Sequence, residues 1–220
     1  MPATLTYFDG RGHGERVRYA LAAAQIPYTE SLLKTSPSEF AAVSPRCLFN
    51  QVPLLEGLEG FGEQPFGLVQ SWSIVRFLAR YNNLTPADPF LAYKADATAE
   101  LVRDLTEAGG FVGFGWSDKE LGKAKMQAAV AKFFPKFEQH LAPFTCGSAK
   151  CWADYQLLYL LNYSVEVLGE GALLTPSFPK LAVLRDTLNK EPHMASFLAT
   201  QAKGLVDEKY MKEVDAVLGR

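Results

Sequence analysis

The 220-residue chain carries 22 Lys and Arg residues against 24 Asp and Glu residues, so its formal net charge is −2. This length allows one or two domains with a substantial core. The balanced charge, without a basic stripe, argues against a nucleic-acid or membrane-surface partner. We expect no signal peptide, and no apolar run approaches the ~18 residues that a membrane span needs.

The cysteines and histidines give no pattern of a metal centre. They are Cys47, Cys146 and Cys151, and His13, His140 and His193. An odd number of cysteines without CxxC spacing favours reduced thiols in a cytoplasmic protein. The histidines are too scattered to form a ligand set, so we predict no metal site.

Strand and helix patterns alternate in the first part of the chain. Residues 3–8 are typical of a strand, and Asp9 to Gly14 of a loop with glycines at every second position. Glu15 to Gln25 has the spacing of an amphipathic helix. Tyr28 to Leu33 is typical of a second strand. Ser36 to Glu39 forms a capping box with proline at the first helical position, which predicts a short helix.

A hairpin pattern follows, in which two short apolar runs flank a glycine-rich turn. The runs are Leu54-Leu55 and Phe66 to Val69, and the turn contains Gly57, Gly60 and Gly62. Pro53 stands where the first strand begins, one of the few strand positions that tolerate proline. The spacing predicts a β-hairpin.

Ser71 stands where the hairpin passes into a helix pattern. Ile74, Phe77, Leu78 and Tyr81 have helical spacing, and serine is a strong N-cap. A strand end that leads into a helix N-terminus is suited to bind an anion, because free N–H groups and the helix dipole point the same way. The elements so far have the order βαβαββα, which is typical of a thioredoxin-like domain.

The remainder of the chain shows helix patterns after a proline-rich linker, Thr85 to Pro89, in which Asp88 can cap the next helix. We predict helices at 90–115, 117–141 and 152–168, followed by three shorter ones near 178–190, 193–202 and 207–218. The 152–168 helix is apolar nearly all round, so we expect it at the centre of the core. We predict a domain at residues 1–83, a linker at 84–91 and an all-α domain at 92–220.

Three segments form a recognisable set: Tyr7 at the end of the first strand, Gln51-Val52-Pro53 before the hairpin, and Gln70-Ser71 after it. Together they resemble the cytosolic glutathione transferases of the tyrosine type. The resemblance extends over essentially the whole chain and is strongest in the first 80 residues. Among the classes, it is nearest to alpha, mu, pi and sigma. It implies a thioredoxin-like domain followed by an all-helical domain, with glutathione as co-substrate and no permanently bound cofactor.

The resemblance implies a role for each glutathione-binding position. Val52 would pair its backbone with the cysteinyl part of glutathione beside a cis Pro53, with Gln51 adjoining. Gln70 and Ser71 would hold the γ-glutamyl group. Arg46 is the nearest cation for the glycine carboxylate, or else a solvated surface arginine.

The resemblance implies that the Tyr7 hydroxyl donates a hydrogen bond to the glutathione sulfur. A thiol with a pKa near ~8.5 is only ~3% thiolate at pH 7, and the thiolate is the nucleophile. A hydrogen bond to the charged form lowers the pKa of the thiol. Residue type alone favours an ordinary half-buried strand aromatic at Tyr7, and it is Pro53, Gln70 and Ser71 in register that favour the functional interpretation.

The resemblance also implies a homodimer with shared active sites. Asp104 would reach glutathione bound by the neighbouring subunit, and Phe49 would be an aromatic key inserted between the partner's helices, or else a core residue. A pocket for a small hydrophobic electrophile would be lined by Phe8, His13, Phe114, Trp116 and Tyr210. The dense glycines of 109–115 also fit a tightly packed helix contact.

The sequence departs from the family at two places. His13 stands where several classes have arginine, and Cys151 replaces the usual serine or threonine of a capping box, so we expect Asp154 to carry the local hydrogen bonds. A non-catalytic ligand carrier or structural protein, and a glutathione-dependent isomerase or peroxidase of the prostaglandin-synthase kind, remain alternatives. The spacing GxGxG, rather than GxGxxG, disfavours a nucleotide-binding domain. The sequence does not distinguish detoxification from synthesis or binding.

Overall fold

The computed structural model describes residues 2–33, 37–60, 67–108, 119–169 and 176–200. The chain divides into two compact units, the first of which contains the described residues up to Leu78, while the second spans Ala79–Gln201. Within the described ranges, no helix has both the length and the apolar character needed to cross a membrane. The domain boundaries drawn from the sequence at residues 83 and 92 stay predictions.

In the first unit, a three-stranded sheet and three α-helices alternate along the chain, and the last of these helices extends from Leu78 into the start of the second unit. They are β1 (Ala3–Phe8), α1 (Gly12–Ala23), β2 (Tyr28–Leu33), α2 (Pro37–Val43), β3 (Leu54–Glu56) and α3 (Ser71–Tyr81), with a 3-10 turn at Ser44–Arg46. This order confirms the predicted βαβαβ pattern and the helix that closes it.

The sheet has the order β2-β1-β3, with β1 at its centre. β1 runs parallel to β2, with Tyr7 opposite Leu32, and antiparallel to β3, with Leu5 opposite Leu55. Within residues 67–69 of the predicted second hairpin strand, Leu68 forms an isolated bridge with Leu55, in which the two backbones exchange hydrogen bonds of 2.9 Å. Phe66 and the turn residue Gly62 lie outside the described residues.

Helix α1 begins three residues earlier than the sequence predicted. Residues 9–14 were expected to be a loop because of their glycines, but Gly12 to Gly14 form the first turn of α1. The Glu15 amide donates to the Arg11 carbonyl at 2.9 Å, which is the first helical hydrogen bond. Glycine is needed in this turn for a different reason, which is the close approach of the Tyr7 ring described below.

In the second unit, the elements within the described residues are all helices, joined by turns and irregular segments. Its helices are α4 (Pro89–Ala108), α5 (Lys119–His140), α6 (Trp152–Leu168), α7 (Pro179–Asn189) and α8 (Pro192–Thr200). The predicted linker cap is confirmed, because Asp88 Oδ1 accepts the Leu91 amide at 2.8 Å. The predicted ends near Gly115 and Ser117, and the helix at 207–218, lie outside the described residues.

Helix α6 lies at the centre of the second unit, as the sequence predicted. It is buried from Trp152 to Leu161 without interruption. At its N-terminus, Asp154 accepts the backbone amides of Thr145 at 2.7 Å and of Cys151 at 2.8 Å. Asp154 therefore holds the preceding turn onto α6, and the expectation that it carries the local hydrogen bonds is confirmed.

Candidate active site

Tyr7, the penultimate residue of β1, is buried with 5% of its surface exposed. Its hydroxyl oxygen accepts a hydrogen bond from the backbone amide of His13 at 2.9 Å. The end of β1 and the first turn of α1 thus meet at the phenol oxygen. An N–H donor at this oxygen stabilises negative charge on it, and polarises the O–H group so that it becomes a stronger donor.

Two glycines in the first turn of α1 make room for the Tyr7 ring. A Cβ atom at Gly12, whose φ is +40°, would lie 2.4 Å from the Tyr7 hydroxyl oxygen. A Cβ atom at Gly14 would lie 2.6 Å from Cδ1 of the same ring. Since real Cβ contacts are longer than this, any side chain at either position must displace the phenol.

Arg18 on α1 holds the turn that covers Tyr7. Its Nη1 donates to the Gly10 carbonyl at 3.0 Å and to Glu15 at 3.2 Å. Its Nε and Nη2 donate to the two carboxylate oxygens of Glu30 on β2, at 2.7 and 3.1 Å. This bidentate pair joins α1, β2 and the β1–α1 connection, so it restrains the backbone on which Tyr7 depends.

The charges in this network are consistent with a permanent ion pair. Burial disfavours the charged guanidinium, but the hydrogen bonds and charge of Glu30, followed by Glu15, outweigh it and raise the pKa of Arg18. Burial raises the pKa of Glu15, and Arg18 and Arg11 oppose that rise. Arg11 lies farther off, with its Nε 3.9 Å from Glu15, so Arg18 rather than Arg11 is the main ion-pair partner of the loop.

The His13 side chain differs in role from its backbone. The residue as a whole is exposed, yet partial desolvation of the imidazole, followed by the positive charge of Arg16, lowers its pKa to about 4. The ring is therefore neutral at pH 7. Its electrostatic help to an anion is weaker than that of an arginine, and the contribution of this residue to Tyr7 comes from its amide.

Gln70 and Ser71 stand at the start of α3. The Gln70 carbonyl accepts the Ile74 amide at 2.9 Å, so Gln70 occupies the cap position and Ser71 the first helical position. Ser71 was predicted to be the cap, and the structure moves that role back by one residue. Gln70 has a φ of +68°, and its Nε2 donates to Oε1 of Gln51 at 2.5 Å.

The peptide bond between Val52 and Pro53 is cis, as the resemblance implied. Pro53 is buried and immediately precedes β3. Gln51, which adjoins Val52, contacts Gln70 through the side-chain hydrogen bond just described. The structure therefore brings Gln51-Val52-Pro53 and Gln70-Ser71 together at one end of the sheet.

Two family models match this chain. The model described as the glutathione S-transferase N-terminal domain matches residues 3–80, and the model of the C-terminal domain of the same family matches residues 111–201. The chain belongs to the glutathione S-transferase family. The sequence-based prediction of a glutathione transferase enzyme is thereby confirmed, while the roles of individual residues stay predictions.

Relatives and solved structures agree with this assignment. The chain is 34% identical to glutathione S-transferase alpha-3 of Rattus norvegicus, with 93% of each chain covered. It is 31% identical to glutathione S-transferase A4 of Mus musculus, over 97% of this chain and 96% of the relative. A Pi-class glutathione S-transferase of Onchocerca volvulus matches with a TM-score of 0.75 and 26% identity, over 90% of this chain and 93% of that one.

The remaining residues predicted for this transferase site are in different surroundings. Arg46 is half-exposed, and its Nη1 donates to Glu56 on β3 at 2.7 Å. Phe8 is buried and stacks on Phe40 of α2, with 6.3 Å between the two ring centroids. Phe49 and Asp104 are exposed. The predicted pocket residues Phe114, Trp116 and Tyr210 lie outside the described residues.

Three parts of the transferase site do not follow from the sequence patterns. These are the His13 amide, the Arg18–Glu30 pair and the steric need for Gly12 and Gly14. The Arg18–Glu15 contact has a sequence signal, because residues three apart on a helix are neighbours. The Arg18–Glu30 pair has none, since the two residues meet only when β2 packs beside β1.

Proposed function

We propose that this chain conjugates the thiolate of reduced glutathione to small hydrophobic electrophiles, and that Tyr7 stabilises the thiolate by donating a hydrogen bond to its sulfur. The observation that carries this role is the hydrogen bond from the His13 amide to the Tyr7 oxygen. A phenol whose oxygen already accepts a hydrogen bond is a better donor towards a second group.

The required free energy is within reach of one interaction. Lowering the thiol pKa by two units raises the thiolate from ~3% to roughly 75% at pH 7 and corresponds to ~2.7 kcal/mol. A hydrogen bond to a charged group contributes about 1.5–3 kcal/mol. Tyr7 alone can therefore supply most of the activation.

Glutathione itself is placed by the segments at the end of the sheet. Gln70 and Ser71 bind the γ-glutamyl carboxylate at the N-terminus of α3, where free amides and the helix dipole favour an anion. Val52 pairs its backbone with the cysteinyl unit, beside Gln51 and Pro53. Arg46 binds the glycine carboxylate in competition with Glu56, with which it forms an ion pair in this structure.

The transferase works as a cytoplasmic homodimer in this proposal. Phe49 is 59% exposed, and a partner subunit that covers it gives that ring an apolar environment. The partner subunit's Asp104 then reaches the bound glutathione. Three free cysteines fit a reducing compartment. Glutathione is a co-substrate, no permanent cofactor takes part, and detoxification is the role that we propose.

The test is the rate of glutathione conjugation to a generic aryl halide, measured from about pH 5.5 to 8.5, for wild type and Tyr7→Phe. We expect the wild type to show an apparent pKa near ~6–7, which rises by a unit or more in the variant. The rate at pH 7 should fall by up to about 25-fold, the ratio of the two thiolate fractions.

The matched control is Tyr81→Phe, which removes the same hydroxyl from an exposed tyrosine at the end of α3. Its pH profile should coincide with that of the wild type. If the wild type binds glutathione by calorimetry but accelerates no electrophile of a diverse panel, the transferase proposal is wrong and the ligand-carrier alternative takes its place.

A further inference from the structure

The turn before α6 brings two thiols into contact. The Sγ atoms of Cys146 and Cys151 lie 3.5 Å apart, although the two residues are five positions apart and do not form a CxxC motif. The turn is closed by backbone hydrogen bonds between Phe144 and Gly147, which folds the chain so that residues five apart in sequence face each other. The contact is thus imposed by the backbone of the turn.

The shortest hydrogen bonds of this turn are made by Asp154, and the cysteine sulfurs add weaker ones. Cys146 Sγ donates to the Leu91 carbonyl at 3.3 Å, and the Cys151 sulfur completes the capping box by accepting the Asp154 amide. The Asp154 carboxylate accepts the amides of Thr145 and Cys151, and a serine would be a better cap at position 151 than a cysteine. A thiol at 151 therefore weakens the cap while placing a second sulfur beside Cys146. A function of the pair accounts for both observations.

We propose that Cys146 and Cys151 form a redox modification site, which small hydroperoxides convert into an intramolecular disulfide. The inference is independent of the proposed transferase chemistry, because it involves the turn at 142–150, the start of α6 and the Leu91 carbonyl of α4, none of which belongs to the proposed glutathione site. The sulfur atoms must approach by about 1.5 Å to reach the ~2.05 Å of a disulfide bond.

Cys146 is the thiol that reacts first. It is 7% exposed, against 1% for Cys151, and it lies in a turn whose flanking residues Ala142, Pro143 and Ser148 are exposed. Burial raises the pKa of both thiols, and the charge of Asp154 raises that of Cys151 further, so both are protonated while the turn is closed. Reaction therefore requires local opening of the turn.

The reaction with hydrogen peroxide balances in two steps. Cys146 loses its proton, its sulfur attacks one peroxide oxygen, the O–O bond breaks and the leaving hydroxide takes up a proton to form water, which leaves a sulfenic acid. The Cys151 sulfur, with loss of its own proton, then displaces hydroxide from the Cys146 sulfur, and a second water forms. The two thiols lose two electrons and two protons, and the peroxide is reduced to two waters.

The experiment uses the full chain with Cys47→Ser, so that only the two thiols of interest remain. The protein is treated with hydrogen peroxide, excess oxidant is removed with catalase, and free thiols are alkylated in denaturant. Trypsin cleaves after Lys150, between the two cysteines, so a disulfide joins two peptides that reduction separates. We expect this linked pair, no alkylation, and migration as a monomer on a non-reducing gel.

The matched variant is Cys47→Ser with Cys151→Ser, which keeps a hydroxyl at the cap and removes the second sulfur. Here the same treatment should leave a sulfenic acid on Cys146, trapped by dimedone, and no linked peptides. The proposal is overturned if Cys146 stays fully alkylatable in both proteins. It is equally overturned if Cys146 forms sulfenic acid in both and the linked pair never appears.

Discussion

At the scale of single residues, the Tyr7 hydroxyl depends on atoms that have no reactive chemistry of their own. The His13 amide contacts its oxygen, and two glycines leave space for its ring. The glycines at 12 and 14 suggest a flexible loop when read along the sequence. In the structure they lie in the first turn of α1, where both provide the absence of a Cβ atom and Gly12 also adopts a φ of +40° that other residues rarely take.

A substitution at Gly14 tests this dependence on space. Gly14→Ala places a Cβ atom against the Tyr7 ring, so the hydroxyl must move. We expect the apparent thiol pKa to rise and the rate at pH 7 to fall by about 5- to 25-fold, the upper bound being complete loss of Tyr7. The same pH–rate assay measures both.

The double variant Tyr7→Phe, Gly14→Ala separates chemistry from packing. It retains the ring, so the added Cβ atom still meets it. We expect Gly14→Ala to lower the free energy of unfolding by about 1–3 kcal/mol, measured by urea denaturation, whether residue 7 is tyrosine or phenylalanine. The further effect of Gly14→Ala on the thiol pKa should vanish, because no hydroxyl remains. A pKa effect that persists without the hydroxyl would contradict the role given to Tyr7.

At the scale of elements, the N-terminus of α6 is organised by one carboxylate. Burial raises the pKa of Asp154, and hydrogen bonds from Thr145 and Cys151 oppose that rise. These two amides belong to the turn and to the cap residue, so Asp154 joins the turn to the central helix of its unit. Without the carboxylate, two buried N–H groups lose their acceptor.

Removing that acceptor should destabilise the protein strongly. Each orphaned buried donor costs about 1–3 kcal/mol, so we expect Asp154→Ala to lower the free energy of unfolding by about 2–6 kcal/mol, measured by urea denaturation. Asp154→Asn, which retains one acceptor oxygen, should fall between wild type and Asp154→Ala.

The control for Asp154 is Asp186→Ala on α7. Asp186 forms an exposed pair with Lys190 at 3.5 Å, and such pairs contribute little. Its removal should change the free energy of unfolding by no more than about 0.5 kcal/mol. Equal effects of the two alanine substitutions would show that Asp154 is not the organising residue.

At the scale of the whole molecule, the exposed aromatic at the end of the β2–β3 connection bears on assembly. Phe49 follows the 3-10 turn Ser44–Arg46 and has more than half of its surface in solvent. When such a ring is a hot spot at the centre of an interface, truncating it lowers the free energy of association by ~2 kcal/mol or more. The proposed homodimer should therefore depend on this single side chain.

Phe49→Ser should raise the dimer dissociation constant by at least about 10-fold, which corresponds to ~1.4 kcal/mol. Sedimentation equilibrium over a range of concentrations gives that constant. Val183→Ser on α7 is the control, since Val183 is 60% exposed and is an apolar residue of the other unit. A protein that sediments as a monomer before any substitution would rule out the homodimer.

Much of the fold follows from short-range signals in the sequence. The order of strands and helices, the cap at Asp88, the apolar character of α6 and the helix after Ser71 depend on residues within a few positions of one another. Periodicity and capping are local physics, so sequence patterns predict them. Helix boundaries are harder to predict, as the start of α1 shows. A glycine in the sequence is compatible both with a flexible loop and with a helical position that requires a small residue.

By itself, the sequence determined the family and the positions most closely tied to it, Tyr7, Pro53, Gln70 and Ser71, because their types and order match a known pattern. Only the tertiary structure decided which groups meet those residues. The Arg18–Glu30 pair, the hydrogen bond between Gln51 and Gln70 and the contact of Cys146 with Cys151 are set by how the backbone folds and packs. Such contacts leave no periodic trace in the sequence, because the distance between two side chains depends on every turn of the chain between them.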